Sequence, residues 1–153
     1  MEIFLSWKKG LFSNTYQFFE NGIQVGLLKV GMWGNKANGN LNGKEFEFKT
    51  KGFFNQETII IDSESLSIVG TIVYNTWRSK AIIKLPDGIE CVWQYTNFWH
   101  SKWTVNKNLY FINYQGSFRK GEVISHIPDE VLIIAGLFVS NHFWQSSAAV
   151  AAT

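Results

Sequence analysis

The sequence predicts a mostly β protein, a closed antiparallel barrel of about twelve strands enclosing a central apolar α-helix contributed by the end of the chain. Three observations carry this. Val131, Leu132, Ile133, Ile134, Ala135, Gly136, Leu137, Phe138 and Val139 run on without a polar side chain, so the helix they form has no wet face and must be surrounded. Everything before Pro128 alternates and turns like strands. Strands about 4.7 Å apart and tilted about 40° close at a radius near 8 Å when there are about eight of them and near 12 Å when there are about twelve, and only the larger barrel admits a helix about 10–12 Å across.

Taken in order, Tyr16 to Phe19 and Gly22 to Leu28 flank Asn21-Gly22, a hairpin dipeptide. Asn35 to Gly43 is rich in Asn and Gly and reads as a loop; Lys44 to Lys49 alternates strictly, with Phe46 and Phe48 on one face. Thr58 to Asp62 and Ile68 to Tyr74 are β-branched runs joined by the polar turn Ser63-Glu64-Ser65. Ala81 to Leu85 meets Ile89 to Tyr95 across Pro86-Asp87-Gly88, which sets Cys91, Trp93 and Tyr95 inward. Trp103 to Val105, Leu109 to Tyr114 and a ribbon around Ser117 to Arg119 and Glu122 to Ile124 follow, with turns at Asn106 to Asn108 and at Lys120-Gly121. The count is ten to twelve strands.

The helix should start at Pro128-Asp129-Glu130, with proline in the first turn and the acids at the positive end of the dipole. From Val131 to Trp144 it rises roughly 21 Å against the roughly 30 Å of a hydrocarbon core. Ser140, Asn141 and His142 interrupt it, so no transmembrane anchor is expected. Residues 1–153 form a single domain, strands over about 3–125 and helix over about 128–148.

Composition excludes several function classes. A formal charge of +2 with 14 Lys+Arg spread along the chain gives no reason to expect nucleic acid as a partner. The single cysteine, Cys91, leaves no internal disulfide, and its alternation with Ile89 and Trp93 makes it a core thiol rather than a nucleophile. The N-terminus carries Glu2 where a signal peptide wants positive charge, so the expected location is cytoplasmic, at most peripheral at a membrane. His100, His126 and His142 stand far apart, and no metal-ligand spacing or Gly-rich phosphate loop occurs. Neither a metal, a cofactor nor an enzyme is implied.

One local feature stands out. Asn75-Thr76-Trp77-Arg78-Ser79-Lys80 recurs as Asn97-Phe98-Trp99-His100-Ser101-Lys102, and the interval of one strand up and one back returns both copies to the same barrel end. Trp33-Gly34-Asn35-Lys36 is a degenerate third copy. Trp77, Arg78, Lys80, Trp99, His100 and Lys102 are therefore the candidate ligand-binding residues: indole suits a water boundary, and the cations suit phosphate. The competing reading is that the tryptophans plug the barrel end while the cations solvate the turns.

The chain resembles the Tubby C-terminal-like superfamily, which includes the LURP-one-related proteins and the phospholipid scramblases. Asn21-Gly22 with Val25-Gly26, Asp62 with Val69-Gly70, Trp77 to Ile83, Asp87-Gly88 with Trp93, Trp103, and Leu132 to Phe138 carry the likeness, which covers almost the whole chain. The resemblance implies a twelve-stranded barrel threaded by its C-terminal helix and an association with membranes and phosphates. The chain has no tight Lys/Arg cluster in sequence, and none of the cysteine-rich, proline-rich or acidic calcium-loop segments of a eukaryotic scramblase. Two functions are expected in competition. One is a non-catalytic module docking on an anionic membrane surface or a phosphorylated small ligand. The other is a protein-protein interaction or structural module without lipid binding. A calycin-type carrier would need an empty barrel.

Overall fold

The computed structural model describes residues 2–31, 35–52 and 55–152, with side chains to residue 147 in the last helix. Twelve strands follow one another: β1 Ile3–Lys9, β2 Thr15–Glu20, β3 Ile23–Val30, β4 Lys36–Leu41, β5 Lys44–Lys51, β6 Glu57–Asp62, β7 Ile68–Asn75, β8 Lys80–Lys84, β9 Glu90–Tyr95, β10 Lys102–Lys107, β11 Tyr110–Gly116 and β12 Lys120–Ser125. Each pairs antiparallel with its sequence neighbours, and β1 closes on β12. Among the described residues no strand edge is left open to another chain. The helix α1, Glu130–Ala152, starts at one end of the barrel, here called proximal, and leaves at the other, the distal end.

Enclosure of the helix follows from what touches it. Leu132 to Asn141 are all buried, a run of more than two turns with no exposed side. Strands on opposite sides of the barrel reach it: Phe48 of β5 stacks on Phe138 with ring centroids 4.6 Å apart, and Trp93 of β9 donates its indole N–H to the Gly136 carbonyl at 2.9 Å. Tyr114 of β11 donates to the Leu132 and Ile133 carbonyls at 3.1 and 2.9 Å, and Tyr16 of β2 to Asn141 Oδ1 at 2.9 Å. Three of these bonds end on helix backbone carbonyls and one on the Asn141 side chain, and together they satisfy two buried hydroxyls and the Trp93 indole, whereas the buried Trp103 indole N–H has no partner among the described residues. The interior is full, which leaves no room for the contents of a calycin-type barrel.

Several boundaries differ from the sequence reading. Asn35 to Gly43 is not a loop: Lys36–Leu41 is β4, with Ala37 and Gly39 facing inward and Asn38 outward. The small residues are there for the helix. A Cβ on Gly39 would lie 2.8 Å from Cγ2 of Ile134, so this stretch looks like a loop only while the helix beside it is unseen. Lys120 and Gly121 belong to β12, the turn being at 117–119, and β10 runs through Lys107 so that the bend falls at Asn108, φ 56°. The helix runs past its expected end to Ala152. It starts after Asp129, whose carboxylate accepts the Leu132 N–H at 3.2 Å as N-cap, so Pro128 precedes the cap instead of sitting in the first turn.

Near the distal end the His142 imidazole lies flat on Tyr74, centroids 3.9 Å apart, and the Tyr74 hydroxyl continues into a chain through Thr58 and Thr50, each step 2.7 Å. Burial holds His142 below the ordinary histidine range. The unfolded chain therefore takes up this proton first as pH falls, and the stability from His142, whole above the ordinary histidine pKa, declines below it. The thermal midpoint should fall more steeply between about pH 7 and about pH 5 in the native chain than in His142→Phe, which keeps the stack. Equal slopes would show that His142 is not the group responsible.

Candidate functional site

In this meander every second connection lies at the same end. The distal end gathers the connections 10–14, 31–35, 52–56, 76–79, 96–101 and 117–119; the proximal end gathers the hairpins at 21–22 and 42–43, the turns at 63–67, 85–89 and 108–109, and the helix start. Both tryptophan turns are therefore distal. Of the third copy, Trp33 and Gly34 lie outside the described residues.

Similar sequence does not give the two turns the same backbone. In the first, Asn75 pairs with Lys80 across four residues, Asn75 Oδ1 accepts the Arg78 N–H at 3.3 Å, and Ser79 takes the left-handed conformation at φ 50°. The second is longer. Asn97 Oδ1 accepts the N–H groups of Ser101 and Lys102 at 3.0 and 3.1 Å, Asn97 Nδ2 donates to Ser101 Oγ at 2.7 Å, and His100 is the left-handed residue at φ 57°. His100 stacks on Tyr95 with planes 1° apart and centroids 3.9 Å apart. It braces its loop from behind, whereas Trp77 is 99% exposed and Trp99 81%. Trp77 and Trp99 therefore do not plug the barrel; the buried tryptophans are Trp7, Trp93 and Trp103.

Other distal loops do the same. Leu11 and Phe12 stand out between β1 and β2, Phe12 at 98% exposure; Phe98 sits edge-on to Trp99, and Phe118 tips the last turn. Each of the four described connections at this end thus carries an apolar side chain in water, a patterning that a monomer surface does not need. The proximal end exposes apolar side chains as well, Phe4, Ile23, Leu66, Ile68 and the run Leu109 to Phe111, but no tryptophan.

Charge is sorted along the same axis. Dividing each strand at its middle, Lys8, Lys9, Lys29, Lys36, Lys49, Lys51, Arg78, Lys80, Lys102, Arg119 and Lys120 fall in the distal half, eleven of the 14 cations, with Glu57 and Glu122 the two acids there, a net +9. The proximal half holds three cations and ten of the 12 acids, a net −7, and the halves sum to the +2 of the chain. Among the described residues only Lys49 of the distal cations makes an ion pair, with Glu47 at 3.7 Å. The proximal charges include internal pairs: Lys44 to Glu130 at 3.4 Å and Lys107 to Asp129 at 3.5 Å line a cleft over the helix start.

The remaining reactive candidates have structural work. Cys91 is wholly buried, and burial pushes its thiol up to about 11. Asp62 accepts the Glu64 and Ser65 N–H groups in its turn, which hold its carboxyl below the usual range. No group of side chains suited to a metal ion occurs among the described residues. No described helix is long and apolar enough to cross a membrane, and the outer wall carries Gln17, Asn38, Glu47, Lys49, Gln94 and Asn113, polar where a spanning barrel needs an apolar belt. The chain matches no family model, no curated protein and no solved structure.

Proposed function

We propose that this chain is a Tubby C-terminal-like barrel acting as a non-catalytic module that docks end-on on an anionic membrane surface. One observation carries the reading: the end with net charge +9 is also the end whose loops hold Phe12, Trp77, Phe98, Trp99 and Phe118 in water. Cations near an anionic leaflet contribute about 1 kcal/mol each, while aromatic side chains settle at the headgroup level. Arg78, Lys80 and Lys102 stand beside the two tryptophans as the electrostatic half of the contact, and His100 holds Trp99 outward through its stack on Tyr95. Trp77, Arg78 and Lys80 line a cleft of about 750 Å³, but apolar tips carried on four separate loops, Phe12, Trp77, Trp99 and Phe118 among them, favour a surface over a small phosphorylated ligand as the thing bound. Superfamily membership rests on the element order and the enclosed helix.

Tryptophan emission tests this. Vesicles containing phosphatidylserine should shift the emission of the native chain to the blue, and phosphatidylcholine vesicles should not. Trp77→Phe/Trp99→Phe should bind the same vesicles with little shift. If the native emission does not respond to phosphatidylserine, the membrane reading fails, and salt-resistant association with a protein becomes the better account.

A further inference from the structure

We infer that the cleft at the proximal end is an interaction surface for a second copy of this chain, which enters by its turn at 76–79, so that copies associate head to tail. End-on docking draws on the same sorting of charge along the barrel, but this contact involves no lipid. The cleft lies over the helix start and has a volume of about 740 Å³, within the roughly 300–1,000 Å³ of concave binding sites in proteins. Its floor is apolar: Phe46 of β5 is buried there, and Val69, Ile127 and Val131 are half-buried against the core. Its rim is acidic. Lys44 and Lys107 pair with Glu130 and Asp129, which leaves Glu45, Asp62 and Glu64 on the rim without an ion-pair partner among the described residues.

A hollow that is apolar below and anionic at its edge is matched by a projection that is apolar at its tip and cationic at its base. The opposite end of the same molecule carries one. Trp77 stands in water at the tip of the β7–β8 turn with Arg78 exposed beside it and Lys80 at its foot, and the bond from the Arg78 N–H to Asn75 Oδ1 holds the turn in shape. Tryptophan and arginine are the side chains that most often carry the binding energy of an interface. The halves complement each other in the same sense, +9 meeting −7, whereas two copies meeting by the same end would oppose like charges. Because the two surfaces are different and lie at opposite ends, the contact is heterologous and grows by addition of copies.

Sedimentation equilibrium of the full chain without lipid tests this with two triple variants, the distal Arg78→Glu/Lys80→Glu/Lys102→Glu and the proximal Glu20→Lys/Glu45→Lys/Glu64→Lys. At low salt the native mass should rise with concentration past that of a dimer, and high salt should return it to the monomer. Each triple variant alone should associate about 100-fold more weakly. An equimolar mixture of the two retains one intact cleft and one intact tip, so it should form a 1:1 complex that does not grow. Adding Trp77→Ala to the proximal variant should remove that complex although no charge changes, while adding it to the distal variant should leave the complex in place. A native chain that stays monomeric or stops at a dimer overturns the inference, as does a mixture that stays monomeric or a mixed complex indifferent to which partner carries Trp77→Ala. Self-association in a chain that ignores anionic vesicles would keep the head-to-tail contact and remove the docking reading, and vesicle binding by a strict monomer would do the reverse.

Discussion

Gly136→Ala should destabilise the barrel by about 3 kcal/mol, although alanine is the better helix former by about 1 kcal/mol. A Cβ at this position would lie 2.0 Å from the Tyr114 hydroxyl and 2.3 Å from its ring carbon Cζ. Tyr114 cannot retreat. Its hydroxyl is tied to the Leu132 and Ile133 carbonyls, its ring stacks on Trp103 at 5.5 Å, and it is fully buried. The helix would have to shift in its sheath, stretching the Trp93 indole bond to the Gly136 carbonyl as well. A fall in thermal midpoint of about 6–12 °C should follow, partly restored in Gly136→Ala/Tyr114→Phe, where the hydroxyl that clashes is gone. An unchanged or raised midpoint for Gly136→Ala would mean that the helix is not held against Tyr114 as described.

The same contact marks how far the sequence could be read. An apolar run without a wet face demands enclosure, and a helix enclosed by strands demands about twelve of them; both steps need only periodicity and the width of a helix. Phe46 and Phe48, the Asn21-Gly22 hairpin and the turn at Gly88 were legible because their side chains or φ requirements are local. β4 was not legible, since Gly39 is explained only by Ile134, nearly a hundred residues away. The site was half legible. The shared end of the two tryptophan turns follows from their spacing, but the cations looked evenly spread because their sorting is visible only once alternate turns are assigned to opposite ends. The signal was present in the order itself: cations cluster around Lys8, Lys29 to Lys36, Lys49 to Lys51, Arg78 to Lys80, Lys102 and Arg119, and acids around Glu20, Glu45 to Glu47, Asp62 to Glu64, Asp87 to Glu90 and Asp129. In an up-and-down barrel that alternation becomes an axial dipole.

The dipole makes the second large effect end-specific. Arg78→Glu, Lys80→Glu and Lys102→Glu together lower the distal half from +9 to +3. At about 1 kcal/mol per charge near an anionic leaflet, the six units removed by three reversals should cost about 10⁴-fold in vesicle affinity at low salt. None of the three is ion-paired among the described residues, and Lys80 and Lys102 pair across strands with Asn75, Gln94 and Gln115, so the barrel should keep its midpoint. The control reverses charge at the other end: Glu20→Lys, Glu45→Lys and Glu64→Lys raise the proximal half from −7 to −1. That variant has the higher net charge, yet its new cations face away from the bilayer, beyond the roughly 8 Å over which salt lets charges act at physiological ionic strength.

Co-sedimentation of the native chain and these two triple variants with phosphatidylcholine vesicles and with vesicles containing phosphatidylserine, each at low and at high salt, tests end-on docking most directly. The account predicts that the native chain and the proximal variant pellet with anionic vesicles at low salt and are released by high salt, while the distal variant stays in the supernatant throughout. Binding that tracks net charge alone, so that the proximal variant pellets far more strongly than the native chain, would contradict it, as would a native chain that never pellets.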